Sequence, residues 1–200
     1  MNLNENKAPQ RIGLFGGTFN PIHLGHTYIA QRAVVELELD NMIFLPCRVS
    51  PHKQDQHATN VENRATMCKI AIEQLAWASM HDFDLTAPTP NYSWRTAEHF
   101  KFLYPNSQLF WLMGTDQWNS LHQWNQPDRL AENVSFIIFT RGLEKLTDRE
   151  YTHFVIRGNH PASSTAIRNR HNNGAPQHQA WLHPAVADYI KKHNIYPPSK

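Results

Sequence analysis

The feature that most constrains the fold is the stretch 11–26, RIGLFGGTFNPIHLGH. Its residues 12–15 form an apolar run of strand length, which Gly16 and Gly17 end. A helix does not continue through Pro21, and behind it apolar side chains recur at helical spacing over 24–39. The stretch therefore predicts a strand, a glycine turn and a helix, which is how many α/β domains begin.

The same stretch predicts a site for a phosphate. It holds half of the chain's 8 glycines, and glycine permits a positive φ or the close approach of a ligand. A loop before a helix presents unpaired N–H groups and the positive end of the helix dipole, which favour an anion. His23 and His26 lie three residues apart at the helix start, so both imidazoles can face one phosphate. The alternative is an ordinary helix start with capping or surface histidines.

Composition narrows the class of protein. A length of 200 residues fits one domain, 1–200, with residues 1–10 expected as a flexible tail. The sequence contains no run of 18 apolar residues, so it predicts no membrane span. Its polar N-terminus also lacks the apolar core of a signal peptide. A net charge of +2 argues against a nucleic-acid surface, and two cysteines argue against a disulfide framework, so we expect a cytoplasmic protein. Most of the 13 histidines are scattered, and we interpret those at positions 57, 81, 153, 171 and 178 as solvated rather than metal-binding.

Strand and helix patterns alternate along the rest of the chain. Short apolar or alternating runs predict strands at 41–46, 82–86, 108–113, 134–140 and 154–156. Helical spacing predicts helices at 61–80, 92–103 and 184–194, and a Ser/Thr cap signal predicts another helix start at 163–168. This alternation is typical of a single α/β domain with a Rossmann-like, doubly wound parallel sheet of about five or six strands. Ligands of such a sheet bind at the carboxyl ends of the strands.

The candidate site residues include no positioned nucleophile and no paired carboxylates. A substrate that brings its own ionised phosphate oxygen needs no general base, and nucleotidyl transfer from a triphosphate would then depend on holding the reactants in line and on stabilising charge on the phosphates. His23 and His26 would donate to the α- and β-phosphate oxygens, beside N–H groups near Gly17 and Thr18. Lys53 and Arg168 would bring positive charge to the leaving pyrophosphate, together with Mg²⁺ carried mainly by the phosphates. The alternative for Lys53 is a solvated loop lysine.

The motif GGTFNPIHLGH resembles the signature of the nucleotidyltransferase superfamily that carries an HxGH motif. Three further segments are similar to bacterial nicotinate-nucleotide adenylyltransferases: Pro51-His52-Lys53, Asn91-Tyr92-Ser93 with Thr96, and Gly114-Thr115-Asp116 with Trp124. The segment 163–168, SSTAIR, is similar to the family's ISSTxIR ending. The resemblance implies transfer of the adenylyl group from ATP to nicotinate mononucleotide, which yields deamido-NAD and pyrophosphate.

The resemblance also implies which residues meet each substrate. The expected ATP contacts are Gly16, Gly17, Thr18, Phe19, Asn20, His23, His26, Ser163, Ser164, Thr165 and Arg168. The expected nicotinate mononucleotide contacts are Lys53, Tyr92, Ser93, Asp116, Trp124 and the Asn125 backbone. Trp124 would stack on the pyridinium ring, and Asp116 would contact a ribose hydroxyl or a metal-bound water. The alternative for Tyr92 and Trp124 is that they are ordinary core or rim aromatics.

The chain departs from the family pattern at three positions. Asn20 stands where Asp is common, Ser93 where Thr is usual, and Ala162 where Ile precedes the two serines. Three alternatives also stay open beside the main interpretation. They are adenylyl transfer to nicotinamide mononucleotide or phosphopantetheine, cytidylyl transfer to an alcohol phosphate, and a non-catalytic module that senses ATP. The sequence leaves a homo-oligomer open.

Overall fold

A computed structural model describes residues 10–48, 59–172 and 180–197. The strands are β1 (Arg11–Gly17), β2 (Asn41–Pro46), β3 (Ala78–Met80), β4 (Gln108–Gly114), β5 (Ser135–Thr140) and β6 (His153–Arg157). The helices are α1 (Leu24–Glu36), α2 (Val61–Ile72), α3 (Phe83–Thr86), α4 (Ser93–Leu103), α5 (Thr115–Asn119), α6 (Pro127–Ala131), α7 (Ser164–Asn172) and α8 (Pro184–Lys192). A 3₁₀ turn spans Leu121–Gln123.

All six strands belong to one parallel sheet in the order β3-β2-β1-β4-β5-β6. The chain builds outward from β1 to β3, then returns to place β4 on the other side of β1. This arrangement confirms the predicted Rossmann-like parallel sheet. The strand order reverses between β1 and β4, so a crevice at their carboxyl ends is the expected place for a ligand.

Alternating side chains of the central strands pack on opposite faces of the sheet. In β1, Phe15 faces one layer, whereas Ile12 and Leu14 face the other. The first layer contains helices α1, α2, α7 and α8, and the second contains α4, α5 and α6. Because both faces are covered, the central strands read as nearly continuous apolar runs, as the sequence of β4 and β5 shows.

One predicted strand is wrong, and the adjoining helix was predicted too long. Most of the predicted strand 82–86 is helix α3 (Phe83–Thr86), and Phe83 stacks on His99 with ring centroids 3.9 Å apart. The third strand is Ala78–Met80, inside the predicted helix 61–80, because α2 ends at Ile72. A three-residue strand is too short for its period to be read, and only its parallel pairing with β2 defines it.

The other predicted elements occupy the expected regions, including the sixth strand at β6. The first helix ends at Glu36 rather than at residue 39, and Glu38 adopts a left-handed φ of 50°. The predicted tail, apart from Gln10, and the segment with Lys53 lie outside the described residues. Among the helices that are described, none is long and apolar enough to cross a membrane.

Candidate active site

A cavity of about 940 Å³ opens at the predicted crevice between β1 and β4. Its wall combines the turn after β1 and the starts of α1, α4, α5 and α7 with residues that follow β5 and β6. The residues predicted from the sequence that line it are Gly16, Gly17, Thr18, Phe19, Asn20, His23, His26, Ser93, Asp116, Trp124, Ser163, Ser164, Thr165 and Arg168. Segments that are distant in the sequence therefore meet at one cavity.

The last two residues of β1 and the turn that follows them, residues 16–20, form what we call the phosphate corner. Among the described glycines only Gly142 has a positive φ, so the corner does not use glycine for that purpose. The left-handed residue is Phe19, with φ of 47°. Gly17 is required for space, because a Cβ there would lie 2.9 Å from Cζ of the Phe19 ring. The sequence therefore placed the turn beside the two glycines, but Gly16 and Gly17 still belong to β1 and the turn follows them. Packing decides that Phe19 carries the unusual backbone angle.

His23 and His26 lie together at the start of α1. Their rings are stacked with centroids 3.7 Å apart and an interplanar angle of 24°. The His23 N–H donates to Nδ1 of His26 at 3.2 Å, so a neutral His26 carries its proton on Nε2. Both histidines line the cavity. His26 therefore caps the helix and also lines the cavity, so a capping role does not conflict with the predicted functional one.

The electrostatic state of His23 follows from its burial. Its side chain is 7% exposed, and its Nδ1 has no hydrogen-bond partner within the described chain. Desolvation, with a smaller contribution from His160 and Arg141, lowers the pKa of His23 to about 3. Near neutral pH His23 is therefore a neutral imidazole that donates one hydrogen bond and carries no positive charge.

Packing explains why the HLGH motif has a glycine at position 25. A Cβ at this position would lie 2.9 Å from Nδ1 of His23 and 3.3 Å from Nδ1 of His160. An imidazole ring cannot move aside as the end of a flexible side chain can. The glycine between the two histidines thus provides the room that the His23 ring occupies.

The start of α7 is hydrogen-bonded directly to the phosphate corner and to the residue that follows it. The Ser164 hydroxyl donates to the Pro21 carbonyl at 3.0 Å, and Arg168 Nη1 donates to the Asn20 carbonyl at 2.8 Å. The Ser163 hydroxyl accepts from the Ala166 N–H at 3.1 Å, which confirms the predicted cap signal. These bonds hold a helix N-terminus and an arginine against the glycine turn.

The side-chain oxygen of Asn20 accepts hydrogen bonds from within the protein. Asn20 is 2% exposed, and its Oδ1 accepts from the Tyr196 hydroxyl at 2.6 Å and from the Thr59 N–H at 3.2 Å. Its Nδ2 is buried and has no partner among the residues that the structure describes. The oxygen of the residue that replaces the family's usual Asp therefore holds the C-terminal segment against the corner.

The opposite wall of the cavity carries Ser93, Asp116 and Trp124. Tyr92 and Asn125 adjoin two of these residues in the sequence but are not among the lining residues. The Asn125 side chain instead accepts a hydrogen bond from Trp94 Nε1 at 2.8 Å. The expected contacts of Tyr92, the Asn125 backbone and Lys53 with nicotinate mononucleotide stay predictions.

Sequence reasoning missed a buried carboxylate in this cavity. Asp84 is 7% exposed and accepts hydrogen bonds from Thr96 Oγ1 at 2.7 Å and from Asn91 Nδ2 at 2.8 Å. Desolvation raises the pKa of Asp84 to about 6, although these two bonds and His81 oppose the shift. The incorrect strand at 82–86 hid this residue, because only the short helix α3 turns its side chain toward α4.

The described residues offer no protein cage for a metal ion. They contain no group of three or more His, Cys, Asp or Glu side chains that could hold one. Asp116 is an exposed carboxylate on the cavity wall, which suits a water-mediated contact to Mg²⁺ bound by phosphates. Asp116 thus fits the predicted Mg²⁺ as an ion that the substrate carries.

Comparison with known proteins gives consistent results. The family model described as Cytidylyltransferase-like matches residues 14–170. A protein of Shouchella clausii named "Probable nicotinate-nucleotide adenylyltransferase" is 36% identical over 187 residues, or 94% of this chain and 97% of that protein. A protein of the same name from Methylacidiphilum infernorum is 34% identical over 192 residues, covering 95% and 94%. The solved structure of Plasmodium falciparum nicotinic acid mononucleotide adenylyltransferase complexed with NaAD has a TM-score of 0.79 at 21% identity. It covers 95% of this chain and 98% of that one, and it supports the fold.

Proposed function

The chain belongs to the nicotinate-nucleotide adenylyltransferase family, and on that premise we propose that it joins ATP and nicotinate mononucleotide into deamido-NAD. A phosphate oxygen of the mononucleotide attacks the α-phosphorus of ATP, the bond from that phosphorus to the β-phosphate oxygen breaks, and pyrophosphate leaves. The observation that carries the proposal is the cavity itself. It brings the phosphate corner and the two histidines to one wall, and Ser93, Asp116 and Trp124 to another.

ATP is proposed to bind at the phosphate corner and the start of α7. The N–H groups of the corner and of α7, together with His26 Nε2, can donate to phosphate oxygens without any change of charge during the reaction. Arg168 brings the positive charge that neutral His23 cannot supply. These donors stabilise the charge that develops on the leaving pyrophosphate, which is the main requirement of a phosphoryl transfer.

Nicotinate mononucleotide is proposed to bind along the wall formed by α4 and α5. The indole of Trp124 offers a flat, electron-rich face to the pyridinium ring. Asp116 lies at the start of α5 directly after β4, where it can accept a hydrogen bond from a ribose hydroxyl. Held this way, the mononucleotide phosphate reaches the corner from the side opposite to the leaving group.

Mg²⁺ is proposed to enter with ATP. Bound to the phosphates, it neutralises part of the charge on the triphosphate and polarises the oxygens. Asp116 is the lining carboxylate that we propose to hold it, through water. We also propose a cytoplasmic setting, in which the thiols Cys47 and Cys68 stay free, as both are here.

The test is a pyrophosphate-release assay with purified protein, ATP and Mg²⁺. We expect rapid release with nicotinate mononucleotide and a lower kcat/KM with nicotinamide mononucleotide. Faster release with nicotinamide mononucleotide or phosphopantetheine would refute the assigned substrate. Binding of ATP without release in the presence of any acceptor would leave the ATP-sensing alternative.

A further inference from the structure

Arg64 is a buried charge that the proposed reaction does not use. It lies on α2 with 1% of its surface exposed. Burying a guanidinium is costly unless its donors are satisfied, and usually a carboxylate supplies that partner. No carboxylate among the described residues lies within ion-pair distance of Arg64. The reason for burying this charge must therefore lie in the groups that it does contact.

Those groups are four backbone carbonyls from three separate segments. Arg64 Nη1 donates to the carbonyls of Thr18 and Cys47, each at 2.7 Å. Nη2 donates to the Arg48 carbonyl at 3.0 Å, and Nε donates to the Thr59 carbonyl at 3.4 Å. One planar side chain thus joins the phosphate corner, the residues after β2 and the residues before α2. The fork of an arginine can reach all of these, whereas a single ammonium cannot.

The bond to Thr18 fixes the orientation of a peptide in the phosphate corner. The peptide between Thr18 and Phe19 is not one of the cis bonds, so its C=O and N–H point in opposite directions. Because Arg64 donates a hydrogen bond to this C=O, the Phe19 N–H points away from Arg64. Within the described part of the chain, neither the Thr18 N–H nor the Phe19 N–H donates a hydrogen bond. Both residues line the cavity.

We propose that Arg64 is a positioning residue for ATP. It orients the Thr18–Phe19 peptide so that the Phe19 N–H donates to a phosphate of ATP. Its positive charge then lies on the carbonyl side of this peptide, and the phosphate lies on the N–H side. The inference rests on the proposed function, because it assumes that the triphosphate occupies the corner. It goes further by assigning the corner's geometry to a side chain that never touches the substrate.

The first test compares Arg64→Lys with the wild type, and with Arg32→Lys as a matched control at an exposed position of α1. Lysine keeps the charge but loses the fork. We expect the Kd for ATP, measured by calorimetry, and the KM for ATP to rise about tenfold or more in Arg64→Lys, as for a weakened hydrogen bond to a charged group. The KM for nicotinate mononucleotide should change much less, and Arg32→Lys should behave as wild type. An unchanged ATP Kd, or equal changes in both KM values, would show that Arg64 only stabilises the fold.

A second measurement uses the wild type, so it holds even if Arg64→Lys does not fold. Exchange of the Phe19 amide hydrogen with solvent, followed by NMR, should slow when ATP saturates the protein. Exchange that ATP leaves unchanged would overturn the inference. Failure of the proposed function looks different: the wild type would bind ATP but release no pyrophosphate with nicotinate mononucleotide, while the Arg64 experiments would still decide the role of this residue.

Discussion

Replacing Asp84 with asparagine is expected to stabilise the protein near neutral pH. Asp84 is nearly buried, and asparagine has the same shape and keeps an oxygen for the bonds from Thr96 and Asn91. The second oxygen of the carboxylate accepts no hydrogen bond from the described residues, so the amide nitrogen displaces no partner. The main change is that the residue can no longer ionise.

The magnitude and the sign follow from the pKa of this carboxyl. Burial raises the pKa of Asp84 from 3.8 to about 6 in the folded protein. A raised pKa means that the folded state binds the proton more tightly than the unfolded state does. The stability from this proton is fully present below about pH 4 and is lost as the pH rises through about 6. This rise of the pKa corresponds to about 3 kcal/mol, which is the largest increase in the free energy of unfolding that we expect from Asp84→Asn at pH 7.5.

Urea unfolding of the wild type and Asp84→Asn between about pH 4 and pH 8 measures this effect. The difference in the free energy of unfolding should be smallest at the acid end, grow up to about pH 6 and then level off. Asp82→Asn is the matched control, because the Asp82 side chain is 68% exposed and lies two residues away. It should show no comparable rise. A difference for Asp84→Asn that is constant with pH, or that favours the wild type at pH 7.5, would refute the assignment of a buried carboxyl with a raised pKa.

The remaining predictions concern the two walls of the cavity. His26→Ala should lower kcat about a hundredfold, because it removes one donor to a transition-state oxygen, and it should change the Kd for ATP little. An unchanged kcat would show that His26 acts only as a capping residue. Gly25→Ala should lower kcat at least tenfold by displacing the His23 ring, and it should lower Tm, because overpacking of about 1–3 kcal/mol exceeds the about 1 kcal/mol by which alanine favours a helix over glycine; wild-type kcat and Tm would show that the ring has room. Trp124→Ala should raise the KM for nicotinate mononucleotide about tenfold, as expected for loss of a ring-to-cation contact, while the KM for ATP stays constant and Trp124→Phe lies between; equal changes in both KM values would contradict stacking on the pyridine ring.

The predictions that succeeded depend on local patterns. The central strands are buried on both faces, so β4 and β5 appear in the sequence as unbroken apolar runs. The parallel sheet then follows from the alternation of strands and helices, and its strand ends converge by rule. For this reason Gly16 and Asp116 could be placed at one site although they are far apart in the chain.

The predictions that failed depend on contacts between distant segments. Strand β3 exists because Met42 and Phe44 of β2 offer a free edge to Ala78–Met80, and its own three residues carry no readable pattern. The segment around Asp84 alternates like a strand, but it folds into a turn of helix against α4. The roles of Arg64 and Asn20 are equally non-local, since their partners are backbone groups or side chains of other elements.

By itself, the sequence determined the class of sheet, the presence of a turn after the two glycines and the two histidines that face the cavity, because these rest on spacing within short segments. Only the tertiary structure decided the charge states of His23 and Asp84 and the backbone angles of the turn. Burial removes the charge from His23 and holds a proton on Asp84 up to about pH 6. Packing makes Phe19 rather than a glycine the left-handed residue, and it points a buried arginine at the carbonyl of Thr18. Desolvation and close packing are properties of the assembled layers, which no single segment contains.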